Sequence, residues 1–484
     1  MAHPQSFEAK LDASSLTRPM WLLWLLSAGL IALDGFDFFI IGVAIPLIER
    51  DFSIDATATG AIATAAVAGA LVGSLTLGPL TDRIGRQLML VIDIALFVLA
   101  SAATTLAWNE ASLITFRFLV GVAIGADYPI SVSYITENVP ARFRGRMVIG
   151  AFTFQAVGAL LGAVTGLLVI NGFQQFYPDA VEPLIHYGWR WMLGVGLGLA
   201  IAVAILRFQF LLESPRYYIA RGEYAAASQA ATELLGQPIT ITPETEPEPA
   251  STKLSYGMLF SQHYLKRTIF AAVPWFLQDI ATYGIGIFTP VIIATLAFAG
   301  KENFIARELA AAKGAAFVDG FLIVGFLLAV LLVDRVGRVK LQIAGFIGMA
   351  AGLVCLALSG AQSTTGTANL GLVFAGFIIF NLLMNLGPNA TTFLLSGEVF
   401  PTAIRASGAG LAAAVAKAGA VLGTFALPLL EQEIGTPPLL GLLALICLLA
   451  ALVTYWFRVE TVGRSLEAVG ESGPPVAGDS LPVV

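Results

Sequence analysis

The chain has 484 residues, of which 57% are hydrophobic and 12% charged, with a formal net charge of −6. A charge fraction about half that of soluble domains excludes water as the main solvent. The length fits about a dozen membrane spans of ~20 residues plus loops.

Residues 1–18 are polar and mixed, and the first apolar run, from Pro19 to about Ile48, is too long for a signal peptide core. Apolar runs fall at 20–48, 58–80, 87–107, 110–136, 146–170 and 188–211. After a polar interval they resume at 268–298, 312–333, 340–360, 368–397, 405–430 and 437–457. These predict an all-α membrane protein with twelve transmembrane helices. The division is a cytoplasmic segment 1–18, a six-helix bundle 19–211, a linker 212–266, a second bundle 267–458 and a tail 459–484. In the linker, SPRYYIARGEYAAASQAATELLG suggests one or two short surface helices, and ITPETEPEPAST has too little apolar content to pack. AGKENFIARELAAAKG, near 299–314, reads as an external or interfacial helical turn.

Basic residues cluster in alternate loops: Arg83 and Arg86; Arg142, Arg144 and Arg146; Arg216 to Arg267; Arg335, Arg338 and Lys340; Arg405. The positive-inside rule then places both termini in the cytoplasm, with the plasma (inner) membrane the expected location. Cys355 and Cys447 lie in apolar runs and read as inert packing residues. With no metal spacing, Walker loop or nucleotide fingerprint, the sequence predicts no cofactor, no metal and no nucleic-acid partner. No nucleophile–base set is legible, and His3, His186 and His263 lie outside the predicted spans, which argues against an enzyme.

Landmarks recur about 250 residues apart in the same order. GPLTDRIGR (78–86) returns as LLVDRVGR (331–338), and ITENVPARFRG (135–145) as SGEVFPTAIRASG (396–408), with a weaker echo of ESPR (213–216) in ETVGR (460–464). Two parallel six-span halves follow. The repeated acids and bases predict a cytoplasmic latch that breaks when the halves rock. It uses Asp82, Arg83, Arg86, Glu137, Arg142 and Arg144 in the first half and Asp334, Arg335, Arg338, Glu398 and Arg405 in the second. Glu137 is expected to meet Arg142 or Arg144, and Glu398 to meet Arg405.

One span, RFLVGVAIGADYPISVSYITE, carries Arg117, Asp127 and Glu137. Charges at membrane depth are costly and face cavities or partners. Counting about 1.5 Å per residue from each predicted cytoplasmic end, Asp127, Gln155, Asp279, Asn389 and Lys417 fall in one slab near the midplane, with Asp37 and Arg117 somewhat further out. Four acids, Asp34, Asp37, Asp127 and Asp279, face only Arg117 and Lys417 within the membrane. Burial favours a neutral acid, so one or more should carry a proton in part of a transport cycle. Asp37 beside Arg117 is the first proton-coupling pair; Lys417 offers an anion its positive partner, aided by Asn389, Gln155, Tyr128 and Tyr283. Asp93 reads as structural, and Asp319 has no evident role.

The two DRxGR loops, RFxxG, the RG after span four and ESPR resemble the major facilitator superfamily, in the branch of sugar porters, phosphate:proton symporters and synaptic-vesicle-protein-like transporters. GADYPIS (125–131), WFLQDIATYG (275–284), NLGPNATTF (385–393) and AAAVAKAG (412–419) are similar to phosphate:proton symporter signatures. That resemblance implies a phosphate site at Tyr128, Gln155, Trp275, Asp279, Tyr283, Asn389 and Lys417, with proton-linked Asp37 and Asp127. Gln278 and Asn385 are further candidate substrate residues, and Asp34 is a further candidate for proton coupling. Departures are Ala126 for glycine, Gln278 for an aliphatic residue, and GIGIFTP where an asparagine is expected after Tyr283. LDGFDFFIIG (33–42) looks like aromatic-acid:proton symporters, and Asp37, Arg117 and Gln155 are shared with sugar porters. The expectation is a proton-coupled symporter of a small anion, phosphate ahead of organic carboxylates and sugars, functional as a monomer. A non-transporting receptor signalling through the linker is the reading from another class.

Overall fold

The computed structural model describes residues 6–84, 86–178, 180–210, 212–243, 256–297, 303–361, 369–400 and 405–459. Within them, the side chains of 78–87, 126–130, 132, 133, 136, 141, 220, 256, 297, 334, 360, 361 and 405–407 are not described. A short helix α1 (Phe7–Ala13) precedes the first half: α2 (Arg18–Phe52), α3 (Ala56–Ile84), α4 (Arg86–Thr105), α5 (Glu110–Asn138), α6 (Ala141–Phe176) and α7 (Trp189–Gln209). The linker holds α8 (Pro215–Ala220) and α9 (Tyr224–Leu235). The second half runs α10 (Leu265–Ala297), α11 (Phe304–Val336), α12 (Arg338–Ala361), α13 (Leu370–Leu386), α14 (Pro388–Glu398), α15 (Arg405–Ile434) and α16 (Thr436–Phe457). Eleven stretches of the described residues are long and apolar enough to cross a membrane; α5 completes twelve. Exposed leucines such as Leu99, Leu168 and Leu445 ring the outside, the surface that lipid covers.

Helix starts follow from their capping residues. Thr17 accepts from the Met20 N–H ahead of α2, with Pro at the first helical turn. Asn109, Asn303 and Asn369 cap α5, α11 and α13 by accepting backbone N–H bonds. The apolar run at 368–397 is not one helix. It breaks at Gly387, since Pro388 lacks an N–H, disfavours helical backbone in the residue before it and starts α14 afresh. The turn expected near 299–314 is largely the beginning of α11, which starts at Phe304. The polar segment 1–18 contains α1, too short for a periodicity to be read from sequence. Its Phe7 and Leu11 are buried with Ala227, Ala231 and Leu234 of α9, so the chain start clamps onto the linker.

We call the end of the bundle where α2 begins and α16 finishes the near side, and the opposite end the far side. The halves meet along α2–α10, α6–α11 and α3–α15. On the far side these seams are tight. A Cβ on Gly42 would collide with the Ile287 carbonyl, and one on Gly60 would lie 2.9 Å from the Phe425 carbonyl oxygen. The Thr64 hydroxyl bonds the Thr424 hydroxyl at 2.9 Å, and the Arg50 guanidinium lies 3.6 Å from the Phe304 ring centroid. The far entrance is closed.

Candidate functional site

Two charged centres lie inside the bundle. In the first half, Arg117 is fully buried on α5, where an unpaired guanidinium would cost several kcal/mol. It is matched by α2: its Nη2 lies 3.2 Å from Asp37 Oδ2, and it donates to the Asp37 backbone carbonyl at 3.3 Å. The sequence-expected Asp37–Arg117 pair is therefore formed. Asp34, one turn earlier, is buried and within electrostatic reach of Tyr283 from the other half.

The second centre is built by α10 and α15. Lys417 donates to the Tyr283 hydroxyl at 2.6 Å and lies 3.6 Å from Asp279 Oδ2. Its ammonium also sits 4.3 Å from the centroid of the Tyr283 ring, a cation–π geometry. Trp275, one turn before Asp279, interacts with that carboxyl group. Gln155 of α6 brings the first half to the Tyr283 hydroxyl. Glycine at position 35 makes this approach feasible, because a Cβ there would strike the Gln155 carbonyl. Phe38 of α2 packs edge-on against Tyr283 at 5.6 Å. One lysine, one carboxyl, one phenol and one amide thus meet where the halves touch.

Beside this centre lies a polar strut. The Gln278 amide donates to Asn389 Oδ1 at 3.0 Å, and its oxygen accepts from Thr392 at 2.9 Å. Asn389 donates to Asn385 at 2.7 Å, and Asn385 donates to the Leu322 carbonyl of α11 at 2.9 Å. Gln278 is fully buried. It and Asn385 hold the broken α13–α14 span against α10 and α11 and fix where Asn389 stands. On the near side of this region Phe152 of α6 lies 4.5 Å, ring to ring, from Phe393 of α14. These phenylalanines and Thr392 were missed in the sequence, because apolar rings and a threonine carry no charge to mark them within apolar spans.

Other candidates are placed as follows. Arg142 donates to the Ser14 carbonyl at 2.7 Å, and Arg144 lies 3.9 Å from Asp12, so both engage the chain start. Glu398 accepts from Arg338 at 3.3 Å. Glu137 is half-buried near Tyr134, and Arg335 is exposed. The side chains of Asp82, Arg83, Arg86, Asp127, Tyr128, Asp334 and Arg405 lie outside the described residues. The pairs seen join elements on the near side: Arg338 and Glu398 within one half, Arg142 and Arg144 to the chain start.

One charged centre within the first half and another where the two halves touch lie inside a bundle of membrane-length helices. The sequence profile of the family described as Sugar (and other) transporter matches residues 24–472. The chain belongs to this family, within the major facilitator superfamily, and is a multi-pass membrane transporter, not an enzyme. YaaU of Escherichia coli (strain K12), a protein named for metabolite transport, is 30% identical over 456 residues, covering 94% of this chain and 95% of YaaU. Inorganic phosphate transporter 1-2 of Oryza sativa subsp. japonica is 29% identical over 439 residues, covering 84% of this chain and 82% of that one. The solved structure of the proton:xylose symporter XylE superposes with a TM-score of 0.73 at 19% identity, covering 94% of this chain and 99% of XylE.

The closed far side yields a direct test of rocking. The double variant Thr64→Cys with Thr424→Cys replaces a hydroxyl pair 2.9 Å apart. Oxidation is expected to cross-link the halves and stop solute flux, and reductant to restore it. Flux that persists in the fully cross-linked protein would show that this seam need not open.

Proposed function

We propose that the protein carries a small anion, inorganic phosphate first, together with protons, by alternating access around Lys417. The observation that carries this reading is the Lys417 ammonium held between the Asp279 carboxyl and the Tyr283 hydroxyl. An anion and ionised Asp279 compete for the same ammonium. When Asp279 takes a proton it releases Lys417 and becomes a donor itself; an anion can then bind Lys417, the Tyr283 hydroxyl and the Gln155 and Asn389 amides. When the proton leaves, Asp279 reclaims Lys417 and the anion is expelled. Proton and anion therefore move together in the same direction.

Relatives named inorganic phosphate transporters support phosphate over other anions. The several amide and hydroxyl donors suit tetrahedral oxygens. The basic loops favour a cytoplasmic location for both termini, an orientation in which the far side faces outward. An organic carboxylate is the second reading, supported by LDGFDFFIIG around Asp37.

The test is uptake into proteoliposomes under an inward proton gradient, with phosphate, aromatic carboxylates and hexoses in competition. Removing one charge-assisted contact costs about 1.5–3 kcal/mol, roughly 10- to 100-fold in affinity. Lys417→Ala is expected to weaken phosphate binding by that factor. Unchanged anion affinity in Lys417→Ala, or competition by hexoses alone, would defeat the anionic reading.

A further inference from the structure

Asp319 stands halfway along α11 and is 4% exposed. Among the described residues no hydrogen bond or charged partner holds its carboxyl group. An ionisable side chain at membrane depth is a functional candidate by default, because leaving a charge there is expensive. Its surroundings supply no cation. On its own helix Arg307, Glu308 and Lys313 lie in the first three turns, and Asp334 and Arg335 at the end. The helices packed against α11 are α2, α6, α10, α12, α13 and α14. Of these α13 has no charged or titratable residue, and α14 has only Glu398, at its end. Helix α6 starts with Arg142, Arg144 and Arg146, and α12 with Arg338 and Lys340; Cys355 lies further along α12. Helix α10 has Lys266 and Arg267 at its start, with Asp279 and Tyr283 committed to Lys417. Helix α2 has Arg18 at its start, Glu49, Arg50 and Asp51 at its end, and mid-span only the acids Asp34 and Asp37. Ala315, Leu322 and Phe326, within one or two turns of Asp319, are buried too.

Helix α11 is also one of the helices along which the halves meet, through α6. In this conformation the Asp319 carboxyl is buried, with no cation beside it among the described residues, so an ionised form would be left uncompensated. When the halves rock apart, water enters and the acid can ionise. We propose that Asp319 is a second proton-binding site, occupied in this conformation and exchanging its proton when rocking of the halves, which meet along α11 and α6, admits water. It rests on the proton-coupled reading above and adds one proton per cycle to the one handled at Asp279.

The infrared carbonyl-stretch band of neutral carboxylic acids tests the site in purified protein without solute. The wild type at neutral pH should show a band that Asp319→Asn lacks. Identical spectra would mean that Asp319 is ionised and would overturn the proposal. This readout does not depend on the solute, so it decides the site even if phosphate uptake fails. Transport supplies the second readout. With one proton fewer per phosphate, Asp319→Asn at a one-unit pH gradient should accumulate about tenfold less phosphate than wild type. Undiminished accumulation would also overturn it. Should Asp319→Asn not assemble, Asp319→Glu keeps an acid and is expected to retain a shifted band and wild-type accumulation; loss of both would count against the site.

Discussion

Asp279→Asn is expected to keep anion exchange across a membrane and to lose the part of proton-driven accumulation that its own proton supplies. An asparagine amide resembles the neutral acid in shape and charge, so Lys417 is left permanently available to the anion. In the wild type the ammonium lies 3.6 Å from the Asp279 carboxyl and 2.6 Å from the Tyr283 hydroxyl. The mutation removes only the competitor. Counterflow of labelled phosphate should persist, while accumulation under an imposed proton gradient falls by the share of one proton. At a one-unit gradient each lost proton means about a tenfold loss of accumulation. Accumulation equal to wild type would remove Asp279 from the coupling path. Loss of counterflow as well would mean that the carboxylate form itself is needed for binding.

Arg117→Leu is expected to destabilise the fold by about 3–5 kcal/mol, since it strands the buried Asp37 without its partner. Asp37→Asn should cost a comparable amount by stranding Arg117, which is fully buried. Combining the two changes should recover much of the loss, because neither charge then remains unpaired. Thermal melting of the three purified variants checks this. Strictly additive losses in the double variant would show that the pair at 3.2 Å contributes no coupling. Where the double variant folds, its proton-driven uptake tells whether the pair also takes part in coupling or only secures α5 to α2.

Much of the architecture was legible because a membrane imposes a coarse rule, about twenty apolar residues per crossing. The starts of α5 and α16 were read to within a residue. The break at Gly387 was not, since an apolar run through Pro388 still looks like a single span. Depth counting brought Gln155, Asp279 and Lys417 to one level, and the structure joins them through Tyr283. The latch partners were less legible. Spacing suggested Glu137 for Arg144, and the structure gives Asp12; Arg338 reaches Glu398, while the Arg405 expected beside it lies outside the described side chains. Long arginine side chains reach any acid within several ångströms, and the packing of helix ends decides which acid that is. Gln278 looked like a substrate residue on motif grounds, yet it is spent on Asn389 and Thr392 inside the protein.

The order of apolar runs and the paired landmarks determined, by themselves, that this chain is a duplicated membrane bundle with charges at its midplane. Hydrophobic length and charge placement are properties of local sequence, and the bilayer reads them one segment at a time. The tertiary structure alone decided that Lys417 is held by Asp279 and Tyr283, that Thr64 meets Thr424 on the closed side, and that no cation among the described residues pairs with Asp319. Those facts depend on how helices from distant parts of the chain rotate and cross, which glycines such as Gly35 and Gly42 permit through backbone contact. No spacing along a single strand of sequence encodes such rotations.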